Sequence, residues 1–85
     1  MERKIIRANS VIEIVSVGDG PQSWNTTIGA PRGEAVRIPY ASDKSYLWVP
    51  TAGGGKYNMH ASEIASTMIF GDAIVLTSND VERIS

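Results

Sequence analysis

The segment Gly53-Gly54-Gly55-Lys56-Tyr57-Asn58 comes nearest to carrying chemistry in this chain. Glycines let backbone N–H groups approach an anion closely, and a lysine beside them adds positive charge. A nucleotide-binding P-loop needs G-x-x-x-x-G-K-[ST] between a strand and a helix. Here Tyr57 follows Lys56, and Pro50 stands where the first glycine is required, so that motif is excluded. Two readings remain: a loose anion site, or simply a flexible loop ahead of a helix.

His60 is the single histidine, and the chain has no cysteine. A zinc site would have to be built from carboxylates around one imidazole, which is a poor donor set. No G-x-S-x-G nucleophile elbow is present. The carboxylates are scattered. Glu13 stands out because it shares one face of an apolar stretch with Val11 and Val15. Buried, it would need a partner, and Arg7 or Arg37 on a neighbouring strand could supply one. On an outer edge it would need none. These features argue against an enzyme and imply no cofactor.

Trp24 and Arg32 lie in residues 18–33, which Gly18-Asp19-Gly20-Pro21, Gly29, Pro31 and Gly33 mark as a long irregular segment. Loops of that length are often functional. Trp24 is there as either a loop anchor or an exposed contact. A ligand-binding set follows: Trp24, Arg32, Lys56, Tyr57 and His60, with two glycine-containing loops each offering a cation and an aromatic ring.

The elements that must position these residues are mostly strands. Residues 3–17 are rich in β-branched side chains, with apolar residues on both faces, so they suit a strand covered on both sides or coiled into a closed barrel. Asn9-Ser10 makes this either one bent strand or a pair. Residues 34–41 and 45–50 read as a hairpin around Ser42-Asp43, and Pro39 places the first of its strands at an edge or at its end. Residues 59–67 are the one expected helix, capped by Asn58, with Ile64 and Met68 facing the core. Residues 68–77 form the most apolar strand; Ser78-Asn79-Asp80 is a turn, and Val81 and Ile84 add a short last strand. The expected fold is mainly β: a small five-stranded barrel, OB-like or SH3-like, with one short helix between the third and fourth strands.

The bulk numbers set the scale. The chain has 85 residues, 42% hydrophobic and 20% charged, with net charge −1. That supports one domain over residues 1–85. Without disulfides, a domain of this size gains most from self-association, so a homo-oligomer is expected. The charge disfavours non-specific binding to duplex nucleic acid. The N-terminal apolar run is too short for a signal peptide, no stretch is long enough for a membrane span, and cysteine is lacking; together these point to a cytoplasmic protein.

Three functions fit. The first is non-catalytic capture of a small phosphorylated or nucleotide-like ligand through the two loops. The second is a protein–protein interaction module or small inhibitor, of a size that suits a viral or mobile-element accessory protein. The third is an OB-type single-stranded nucleic-acid binder, with Tyr40, Tyr46 and Trp48 stacking on bases beside Arg37 and Lys44.

Overall fold

The N-terminal stretch is a hairpin. Strands β1 (Glu2–Ile6) and β2 (Ile12–Ser16) pair antiparallel, with Ile6 opposite Ile12 and Glu2 opposite Ser16. The turn between them closes with Arg7 N–H donating to the Val11 carbonyl and Ser10 N–H to the Arg7 carbonyl. Ser10 takes a positive φ of 72°, and Asn9 Oδ1 accepts from Val11 N–H. The break signalled by Asn9-Ser10 therefore resolves as two strands. The computed structural model describes residues 1–39, 44–51 and 55–83.

Three more strands complete the sheet: β3 (Gly33–Arg37), β4 (Ser45–Pro50) and β5 (Ala73–Thr77). The order is β2-β1-β5-β4-β3, and every neighbouring pair is antiparallel. The β3–β4 hairpin has the expected strands, and β3 is an edge that ends before Pro39. Tyr40, expected in the first of these strands, and Ser42-Asp43, the expected turn, lie outside the described residues.

The sheet is open, with β2 and β3 as its two edges, which corrects the expected barrel. The reason is that helices cover both faces, so the sheet does not have to curl round to bury them. On one face Ile5, Trp48, Ile74 and Leu76 pack with Val17 and with Trp24 and Ile28 of helix α1 (Pro21–Ile28). On the other, Ile6, Leu47, Val49 and Ala73 pack with Ile69 and with Ala61 and Ala65 of helix α2 (Met59–Ala65). A third, one-turn helix, α3 (Ser78–Glu82), follows β5. The helices thus fall between β2 and β3, between β4 and β5, and after β5, rather than as a single helix after the third strand.

Helix α1 takes up half of the irregular segment expected at residues 18–33. Pro21 occupies its first turn, where a missing N–H costs nothing. Gly29 ends it in the left-handed region at φ 70°. The sequence between, Gln-Ser-Trp-Asn-Thr-Thr, has weak helix propensity. Its stability comes from burying Trp24 and Ile28, one turn apart, against the sheet.

Helix α2 begins as expected: Asn58 Oδ1 accepts from Ala61 N–H at 3.0 Å. It stops at Ser66, which adopts φ 56°. Ile64 packs against the core, but Met68 is 68% exposed, because the chain has left the helix before reaching it. Residues 68–72 are a link to β5: Phe70 bridges Tyr57 outside the sheet, and Ile69 packs into the core on the α2 side. Ser78-Asn79-Asp80 opens α3, with Thr77 and Asp80 forming a reciprocal capping box, so Val81 is helical and not in a strand. Ile84 lies outside the described residues.

Candidate functional site

One open groove of about 370 Å³ runs along the α2 side of the sheet near the β3 edge. Its walls are built from alternate residues of the hairpin and from the link after α2. Glu34 and Val36 of β3 and Val49 of β4 form one side, because side chains two apart on a strand share a face. Pro50 and Thr51 close one end. Thr67, Met68, Ile69 and Phe70 form the facing wall. Ile69 turns inward and is buried, while Met68 and Phe70 point out. The lining mixes apolar side chains with polar atoms, and among the described residues Glu34 is the ionisable group it presents.

Two glycines hold that end of the groove together. A Cβ on Gly55 would lie 2.8 Å from the Gly71 Cα, and one on Gly71 would lie 3.0 Å from Pro50 Cγ. Gly71 also adopts φ 85°, which favours glycine, and its N–H donates to the Lys56 carbonyl at 2.7 Å. The Tyr57 and Phe70 rings meet edge to face at 5.7 Å. On the other side, Thr51 N–H donates to the Arg32 carbonyl.

The expected ligand-binding residues are placed as follows. Lys56 and Tyr57 are exposed next to Gly55 and Gly71, and Arg32 is exposed beside Thr51, so these three reach one end of the sheet. His60 is half-buried in the first turn of α2. Trp24 is not with them. It is 1% exposed, on the opposite face of the sheet, stacked edge to face on Trp48 at 5.1 Å. It is a core residue and offers no ring to a ligand. Trp48 is buried too, so a base-stacking surface on the β3–β4 hairpin lacks its largest ring.

No family model, curated protein or solved structure matches this chain.

The charged groups divide into paired and exposed. Arg7 donates to Asp72 at 2.8 Å and to Glu13 at 3.1 Å; Glu13 is exposed on the edge strand β2, so it is the outward-facing edge residue, and it pairs with Arg7 there. The Arg7 guanidinium is held more firmly protonated, first by the hydrogen bond it donates to Asp72 and then by the one to Glu13. Arg3 donates twice to Asp80. Hydrogen bonds from Arg3 outweigh burial and hold the Asp80 carboxyl below the usual carboxylate range, with the Thr77 backbone adding to the effect. Both clusters brace the fold. Among the described residues, no group of three or more His, Asp or Glu side chains could hold a metal ion, and no helix is long and apolar enough to cross a membrane.

The groove is not legible in the sequence. Met68-Ile69-Phe70 reads as the start of a strand; its signal is period two, with Ile69 in and its neighbours out, but nothing in the sequence says that the outward pair lines a groove with Val36 and Glu34.

Proposed function

We propose that this protein is a non-catalytic interaction module that receives an extended segment of another polypeptide along the β3 edge. The observation that carries this reading is the groove beside β3, whose outer edge pairs with no strand among the described residues. Thr51 N–H bonds to the Arg32 carbonyl and Ile38 N–H to the Ser45 carbonyl, so alternate residues of β3 turn their backbone toward β4. Gly33, Ala35 and Arg37 therefore turn theirs outward. A strand added there would gain main-chain hydrogen bonds and place every second side chain over the groove. An apolar side chain fits the wall of Val36, Met68 and Phe70, and a lysine or arginine fits Glu34.

That lining favours a peptide with an apolar and a basic residue over an anion. Capture of a small anionic or nucleotide-like ligand by Arg32, Lys56, Tyr57 and His60, at the end of the sheet beyond the groove, is the competing reading.

Peptide display against the wild-type protein, with Glu34→Lys and Met68→Asp variants as counter-selection, separates the two. Both changes are at exposed positions and should leave the fold intact. Enrichment of peptides pairing an apolar with a basic residue, weakened about tenfold or more by each variant, supports the module. No enrichment, or binding indifferent to both variants, overturns it. Native mass spectrometry provides the other arm: a co-purified small anion that is lost on Arg32→Ala or Lys56→Ala would also overturn it.

A further inference from the structure

We infer that β2, the other edge of the sheet, pairs with β2 of a second copy about a two-fold axis at Ile14, joining two five-stranded sheets into one.

The two edges are guarded differently. Edge strands expose unpaired N–H and C=O groups, and proteins blunt them with charge, proline or a covering element. The β3 edge carries Glu34 and Arg37 and is followed by Pro39. The β2 edge has neither lysine nor proline, and its one charge, Glu13, is tied back to Arg7. On the α2 face of the sheet, Ile12 and Ile14 are 47% and 64% exposed. Helix α2 covers the centre of this face and leaves them bare.

The hydrogen-bond parity identifies what fits there. Met1 and Val17 exchange both main-chain bonds, and Arg7 N–H donates to the Val11 carbonyl. Odd-numbered residues of β2 therefore face β1. Ile12, Ile14 and Ser16 direct their N–H and C=O groups outward, so the complementary object is another strand. An antiparallel copy satisfies all three residues when Ile14 lies opposite Ile14 of the second copy and Ile12 lies opposite Ser16.

Charge selects this register. Shifting the axis to Glu13 would set two carboxylates directly opposite, which is destabilising. With the axis at Ile14, each Glu13 faces Val15 instead, and the exposed isoleucines of both copies line one face. A net charge of −1 per chain adds little repulsion. This dimer leaves β3 and its groove free, so it stands or falls independently of peptide binding there.

The lack of cysteine makes the test clean. Single Ile12→Cys, Ile14→Cys and Ser16→Cys variants are each oxidised mildly and examined for covalent dimer. Directly opposed residues in a hydrogen-bonded antiparallel pair have Cα atoms about 5.5 Å apart, within disulfide range. Cross-linking by Ile14→Cys alone, and by an Ile12→Cys/Ser16→Cys double variant but neither single, is expected. Sedimentation of the wild type should show dimer at high concentration, weakened about tenfold or more by Ile14→Lys, which sets two ammonium groups face to face. Hydrogen exchange should show the Ile12, Ile14 and Ser16 amides becoming protected as concentration rises, while Glu13 and Val15 stay protected throughout. A monomer at every concentration, a dimer unaffected by Ile14→Lys, or equal cross-linking by all three single cysteines overturns the inference.

Discussion

Trp48 donates its indole N–H to Asn25 Oδ1 at 2.8 Å, joining the central sheet to helix α1, and Gly33 leaves the space in which they meet. A Cβ at Gly33 would overlap the indole nitrogen and crowd Asn25 Oδ1 as well. Gly33→Ala must therefore push a buried ring aside, and overpacking of this kind costs about 1–3 kcal/mol. Asn25→Ala leaves the Trp48 N–H unpaired, for about 1–3 kcal/mol. Urea denaturation should show both losses. Because the two residues share one contact, the double variant should lose less than the sum.

The two tryptophans should respond differently to truncation. Trp24 is buried with no hydrogen-bond partner for its indole nitrogen among the described residues, whereas Trp48 has Asn25. Trp24→Phe removes a polar atom that is unsatisfied in the core, which offsets part of the lost packing. Trp48→Phe strands the Asn25 carbonyl. The expected order of stability, read from thermal unfolding, is wild type, then Trp24→Phe, then Trp48→Phe, with the last two separated by about 1 kcal/mol.

Asn58 is fully buried and uses both ends of its amide. Oδ1 caps α2, while Nδ2 donates to the carbonyls of Ile6 and Gly71, each at 2.9 Å. Asn58→Ala forfeits all three bonds, at about 2–4 kcal/mol. Asn58→Asp keeps the cap but turns a carboxylate oxygen toward two carbonyl oxygens. Although aspartate is a good N-cap elsewhere, it should be at least as damaging here at neutral pH and partly recover in acid, where a protonated carboxyl can donate. Denaturation midpoints across pH would show this crossover.

Asp80 sets part of the acid response. Its folded pKa lies below the unfolded value, first because Arg3 donates to it and then through Thr77. The unfolded chain thus binds the proton more readily. The stability it contributes is complete above the unfolded pKa of about 3.9 and is lost as pH falls through the lower folded value. Asp80→Ala should cost about 1–3 kcal/mol at neutral pH, since it removes both the Arg3 pair and half of the capping box. Below about pH 4 the gap between variant and wild type should narrow. A gap that widened in acid would contradict the pairing.

What the sequence determined by itself was local. β-Branched runs marked strands within residues 3–17, 34–41, 45–50 and 68–77, the first of which holds two, whereas the strand expected at Val81 is helix α3; Pro39 marked β3 as an edge; and Asn58 announced the start of α2, because propensity, periodicity and capping act within a few residues. What only the tertiary structure decided was everything that depends on which surfaces meet. Residues 21–28 are weak helix formers and became a helix because Trp24 and Ile28 find the sheet. The same helix, with α2 on the other side, covers both faces and leaves the sheet open where a barrel was expected. Trp24 went into the core, and Met68 with Phe70 came out to line a groove, for the same reason. Burial is settled by contacts between distant segments, and a chain read in one dimension carries each apolar residue without its partner.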